Sequence, residues 1–295
     1  MISVVRVSDG LGNQMFQYAF ARKIKEITGN DVYLDVRFIN NEDRVARGEK
    51  DQFLTYNAHR VYGLNHYKTT LPIASEGLLS KWDYISCNKY VYRVFTKYTR
   101  GGLGFWQYKS ELSNTRNEII RSFENPFPTY YEGYFANLEY YNDIRLILQK
   151  EFRLRVPFNL PGEIQRILNC ENTVSLHIRR GDFIKLHRDI SEKMYYLEAI
   201  KTIKRSIAEP IFLIFSDDIE WVKRNLKIEE EKVYISGNGF GDYVEFAIMK
   251  HCKHYIIANS TFSYWAAFLN SNADKIVICP KRWKSPIIPD EWTQI

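Results

Sequence analysis

The four cysteines, Cys87, Cys170, Cys252 and Cys279, include no C-x-x-C pair, so the chain offers neither a paired-thiolate zinc site nor a disulfide framework. Reduced thiols in a cytosol are the simplest account. No run of about 18 apolar residues occurs anywhere, and the opening M-I-S-V-V-R-V-S-D-G lacks the apolar core of a signal peptide. A soluble, cytoplasmic chain is therefore expected. There is no D-x-D to hold a cation on a diphosphate. His251, Cys252 and His254 lie close in sequence but precede a strand and read as a solvated helix end, so no metal site is expected. Although the net charge is +6, no basic tail or RNP-type aromatic motif accompanies it, and a nucleic-acid partner is not expected. A basic nucleic-acid-binding protein stays as the distant alternative. Internal repeats and low-complexity tracts are missing as well.

What is present is an α/β pattern. A chain of 295 residues fits two domains by the usual size relation. The prolines and glycine of the 157–162 segment give the best linker signal, dividing the chain into 1–158 and 159–295. Ile2 to Val7 reads as a strand, D-G-L-G-N-Q as a tight loop, Met15 to Ile27 as an amphipathic helix and Asp31 to Val36 as a second strand. Residues 40 to 130 predict helices and an irregular insert, and the stretch from Tyr130 turns helical in pattern. Beyond the linker, strands at 173–178, 210–215, 232–235, 254–258 and 275–279 alternate with helices, which predicts a parallel sheet with ligands at the strands' carboxyl ends.

Three loops follow these strands. H-I-R-R-G-D-F carries His177, Arg179, Arg180 and Asp182; F-S-D-D carries Asp217 and Asp218; A-N-S-T-F-S-Y-W carries Asn259, Ser260 and Thr261 at a helix start. Free N–H groups and hydroxyls at such a start attract anions, and arginine adds a planar fork for phosphate oxygens. Carboxylates suit the N1–H and amino group of guanine. Jointly these parts describe a nucleoside diphosphate pocket. Singly, Ser260, Thr261, Asp217 and Asp218 read equally well as helix caps. Near the amino terminus Gly10 and Gly12 begin a G-x-G, but Met15 stands where the third glycine of a dinucleotide fingerprint belongs. That loop still allows close backbone approach at Gly12, with Asn13 and Gln14 as amides for sugar hydroxyls, or it is a simple capping turn.

Taken together, G-L-G-N-Q-M-F-Q-Y-A, E-G-Y-F, H-I-R-R-G-D-F, F-S-D-D and A-N-S-T-F-S-Y-W resemble bacterial α-1,2-fucosyltransferases of glycosyltransferase family 11, in order and approximate spacing through nearly the whole chain. Ser8-Asp9 and Tyr264 depart from the usual pattern. The resemblance implies a GT-B fold, two Rossmann-like domains facing across a cleft. The first would be the acceptor side and the second the GDP-fucose-binding side. It implies inverting, metal-independent transfer of L-fucose from GDP-β-L-fucose to O2 of a terminal β-galactose, with no cofactor beyond the donor. Arg179 would meet the diphosphate and Arg180 hold the loop or add charge. His177, Asp217 and Asp218 would bind guanosine, Ser260 and Thr261 the phosphates, and Asn13 the fucose or the acceptor hydroxyl. The base is open among Asp182, Asp9, His177 and late proton transfer to water. A galactose-terminated surface glycan, lipid-linked and met by peripheral contact at the inner membrane face, suits a basic bacterial chain. Another GDP-sugar-dependent GT-B enzyme, such as an O-fucosyltransferase, is the nearer alternative.

Overall fold

The computed structural model describes residues 1–39, 60–82, 102–103, 106–185, 193–283 and 285–295. The chain divides into two compact units, Met1–Glu151 and Phe152–Ile295. The proline-rich 157–162 segment thus lies inside the second unit. Much of the 40–130 stretch, for which an insert is predicted, falls outside the described residues.

The first unit opens with β1 (Ile2–Ser8), α1 (Leu11–Thr28) and β2 (Asp31–Phe38). All of β1 after Ile2 is buried, as a parallel strand covered on both faces must be. The apolar side of α1, including Met15, Phe16, Phe20 and Ile24, packs inward. Gly29 ends the helix at φ 67, a left-handed turn that lets its N–H donate to the Lys25 carbonyl. Next come α2 (Glu76–Leu79), β3 (Gly102–Leu103), β4 (Trp106–Ser110), α3 (Arg116–Arg121), β5 (Thr129–Glu132) and α4 (Arg145–Glu151). A reciprocal Thr115–Glu118 capping box starts α3.

Among the described residues the sheet order is β2-β1-β5-β4-β3, parallel except where β3 meets β4. The segment from Tyr130, whose pattern predicts a helix, begins instead as β5, inserted between β1 and β4. Pairing on both sides buries Tyr130 and Tyr131 completely or nearly so, and such aromatic burial outweighs the weak helical period.

This sheet carries buried charge with matched partners. Arg6 on β1, 2% exposed, donates to Glu132 at 2.7 Å and lies 3.9 Å over the Phe38 ring. Asp35, fully buried, accepts from Arg37 at 2.9 Å and Tyr130 at 2.8 Å. At the end of α4, Glu151 accepts from Tyr18 at 2.5 Å, Arg22 at 3.0 Å and Thr70 at 3.1 Å. Burial, and then the Glu151 carboxylate, push the Tyr18 pKa well up, so the phenol stays a donor.

The second unit comprises α5 (Gly162–Leu168), β6 (Thr173–Ile178), α6 (Gly181–Lys185), α7 (Lys193–Ser206), β7 (Ile211–Ser216), α8 (Ile219–Asn225) and β8 (Lys232–Tyr234). It continues with α9 (Asp242–His251), β9 (His254–Ile256), α10 (Thr261–Leu269), β10 (Val277–Cys279) and β11 (Thr293–Gln294). The described strands form a sheet ordered β11-β10-β9-β6-β7-β8, every pairing parallel. Its core joins Val174, Leu176, Phe212 and Ile214 to Tyr196 and Ile203 of α7. The alternating pattern past residue 170 is thus a mixed α/β fold built on a parallel sheet. No described helix is long and apolar enough to cross a membrane.

Glu151→Ala strands the partners of one buried carboxylate. Its expected cost is about 3 kcal/mol, visible as an earlier urea-unfolding transition of the full chain.

Candidate functional site

Strand order locates the candidate site in the second unit. From β6 the chain steps to β7 and β8 on one side, then crosses back to place β9 on the other side of β6. The loops after β6 and β9 therefore diverge at a switch point, where parallel sheets open a crevice at their carboxyl edge. Arg179, Arg180 and Gly181 follow β6, and Asn259, Ser260 and Thr261 follow β9.

One carboxylate shapes the first loop. Asp217, just past β7, accepts the Arg180 backbone N–H at 2.8 Å, and its Oδ2 lies 3.2 Å from the Arg179 Nε. A Cβ on Gly181 would sit 2.8 Å from that same Oδ2, so a side chain there would displace the carboxylate. An arginine guanidinium is a planar fork of the kind that suits phosphate oxygens. The Arg179 side chain is 28% exposed. Arg180 turns elsewhere: its guanidinium lies 3.7 Å over Trp221 and 3.5 Å from Asp218. The doubled arginines thus divide, one held at the crevice and one clamping α8 to the loop.

Asp218 caps α8, accepting from the Trp221 N–H at 3.0 Å, which is the capping alternative for that residue. Ser260 occupies the N-cap position of α10, yet among the described residues its side chain makes no bond to that helix. The first turn of α10 therefore keeps backbone donors for an anion. Asp182 is the second residue of α6, and its side chain lies outside the described residues.

His177 is 6% exposed, with Nδ1 2.8 Å from the Ser263 hydroxyl across the switch point. Burial, then the neighbouring Arg179 charge, lower its pKa to about 3. The imidazole is therefore neutral at physiological pH and a weaker base than an exposed histidine. Ser263, unremarked in the sequence, also donates to the Ser260 carbonyl at 3.3 Å. Its period along α10, one turn beyond Ser260, was the available signal.

In the first unit the helix begins at Leu11, so Gly12, Asn13 and Gln14 lie in the first turn of α1 rather than in a loop. Gly12 is buried and Asn13 half-buried. Gln14 requires correction. It is fully buried, donates to the Asp9 and Val61 carbonyls at 2.8 and 2.9 Å, and accepts from the Gly63 N–H at 2.9 Å. With both N–H groups and the oxygen on backbone partners and the side chain fully buried, this amide holds the chain together and has no donor left for a sugar hydroxyl. The segment read as a solvated helix end is largely buried, Cys252 fully and His254 to 5% exposed; His251 Nδ1 meets the Ala247 carbonyl and His254 Nδ1 accepts the Ile276 N–H. Among the described residues no three His, Cys, Asp or Glu side chains group as a metal would need.

Over residues 1–291 the chain matches the profile described as Glycosyl transferase family 11. It is 29% identical to the O-antigen biosynthesis glycosyltransferase WbnK of Escherichia coli, across 98% of this chain and 99% of that protein. It is 28% identical to an alpha-1,2-colitosyltransferase of Escherichia coli, across 100% and 99%. A bovine galactoside 2-alpha-L-fucosyltransferase, SEC1, is 27% identical over 46% of this chain and 41% of its own length.

The depressed His177 pKa has a stability consequence. Between its ordinary value of 6.5 and about 3, the unfolded chain binds a proton that the folded chain refuses, so this contribution to stability is lost as pH falls through that window. The melting temperature of His177→Gln should fall less steeply than the parent's between pH 6.5 and 4.

Proposed function

The chain belongs to glycosyl transferase family 11, and from that premise we propose that it transfers L-fucose from GDP-β-L-fucose to O2 of a terminal β-galactose, with inversion and without a metal. The observation that carries this reading is that Arg179, held by Asp217 after β6, and the N-terminus of α10, after β9, follow the two neighbouring strands that flank one switch point. In the reaction the acceptor oxygen bonds to C1 of fucose while the bond from C1 to the β-phosphate oxygen breaks. The electron pair leaves on GDP, and the hydroxyl proton passes to a base. Charge therefore grows on the phosphate, where arginine and helix N–H groups act most strongly.

In this reading Arg179 binds the diphosphate, Ser260 and Thr261 add donors to its oxygens, and Asn259 lines the same turn. Arg180 positions the loop through Trp221. Asp217 orients Arg179 and, with Asp218 and His177, lies toward the guanosine. Asn13 meets the fucose or the acceptor hydroxyl, and Gly12 lets backbone approach. The base is Asp182, Asp9 or His177, or the proton leaves late through water; the lowered pKa of His177 makes it the weakest acceptor of the three side chains. The acceptor is a galactose-terminated glycan of the surface-polysaccharide kind, in keeping with the O-antigen role named for the Escherichia coli relative.

A second reading concerns the donor. The full-length match to a colitosyltransferase favours a test of the colitose donor, whose sugar is fucose lacking the 3-hydroxyl.

GDP release in EDTA, with and without lactose, separates these readings. Lactose-stimulated release from GDP-fucose supports the first, preference for GDP-colitose supports the second, and absence of GDP binding sinks both. Arg179→Ala should fold as the parent does and lose about 10²- to 10³-fold in turnover; turnover close to the parent's would remove Arg179 from the site. The net charge of +6 further suits a lipid-linked acceptor at an anionic surface. Co-sedimentation with anionic but not neutral liposomes, weakened by salt, checks this.

A further inference from the structure

The first unit has a switch point of its own. Its chain goes from β1 to β2 on one side and returns with β5 on the other, so the loops after β1 and β5 part there. They present Asp9 and Tyr134. We propose that these two residues form the subsite for the acceptor's sugar ring, a neutral hexopyranose, with the Tyr134 ring against its C–H face and the Asp9 carboxylate accepting from one of its hydroxyls. The inference rests on the transferase reading above and adds where the acceptor is held.

Both residues are set in place before any ligand arrives. Tyr134 O–H donates to Asp9 Oδ2 at 2.8 Å, joining two loops 125 residues apart in the chain. Asp9 and Phe135 adopt φ 66 and 53, left-handed conformations that residues with side chains rarely accept. Their surroundings hold them there. Phe135 is fully buried and stacks on Phe20 at 3.7 Å. Glu111, past β4, accepts the Phe135 N–H at 2.8 Å, while Gly133 leaves room for it. Gln17, 1% exposed, binds the Gly133 carbonyl, the Ser8 N–H and the Ser8 hydroxyl, and Gln14 binds the Asp9 carbonyl.

Out of this rigid frame Tyr134 emerges 43% exposed. An aromatic face beside a carboxylate matches a sugar, which offers C–H groups on one side and hydroxyl donors at its rim. Charge argues against an anion. Asp9 and Glu111 stand at this edge, while Arg6 and Arg37 are matched by Glu132 and Asp35.

Steady-state kinetics of the full chain, with GDP-fucose and lactose or whichever β-galactoside the parent uses, test the subsite. Tyr134→Ala should raise the acceptor KM about tenfold while the GDP-fucose KM stays within about twofold. Tyr134→Trp keeps an aromatic face and should restore most of the acceptor KM. Tyr134→Phe keeps the ring, loses the bond to Asp9, and should lower kcat more than it raises the acceptor KM. An acceptor KM unchanged in Tyr134→Ala, or a GDP-fucose KM that rises in step with it, overturns the subsite while leaving the transferase reading intact. A parent that uses no galactoside at all defeats that reading, and this inference with it.

Discussion

A carboxylate reaching under a backbone turn is the interaction on which both sites depend. In the second unit Asp217, at the end of β7, accepts an N–H from the turn after β6; in the first, Glu111, at the end of β4, accepts one from the turn after β5. Each turn carries a glycine where a Cβ would stand 2.8 or 2.5 Å from that carboxylate. The arrangement follows from parallel pairing, since neighbouring parallel strands end at the same edge. A side chain just past one strand is therefore well placed to satisfy the backbone just past the next. Without such partners these turns would carry costly unpaired donors.

The two edges differ in what they add to this shared device. Around Asp217 gather Arg179, Arg180 and the open start of α10, which suit a diphosphate. Around Glu111 gather Asp9, Glu132 and the half-exposed Tyr134, which suit hydroxyls and C–H groups. A glycosyl transfer needs both chemistries, an anionic leaving group and a neutral nucleophile. His177, buried beside Arg179 and paired with Ser263, is neutral and adds no charge to that of the two arginines.

Much of the second unit was legible before folding was considered. Its strands are β-branched runs bounded by turn residues, and its helices carry clear amphipathic periods, so 173–178, 232–235 and 242–251 needed little context. The doubled arginine at a strand exit was equally plain. β5 was not, because its place depends on β1 and β4, which pair with it across long stretches of chain. Gln14 misled for a related reason. A glutamine near a glycine turn looks free in one dimension, and only the arrival of residues 61–63 shows it consumed.

By itself the sequence determined the alternation of strands and helices, the family, and the residue types able to meet phosphate and sugar. These are local properties, set by side-chain period, turn chemistry and motif order. Tertiary structure alone decided which partner each polar group meets: Arg179 with Asp217, Arg180 with Trp221, His177 with Ser263, Tyr134 with Asp9. Those pairs join residues far apart in the chain, brought together by strand order, and strand order is settled by how two sheets bury their apolar faces rather than by any short stretch of residues.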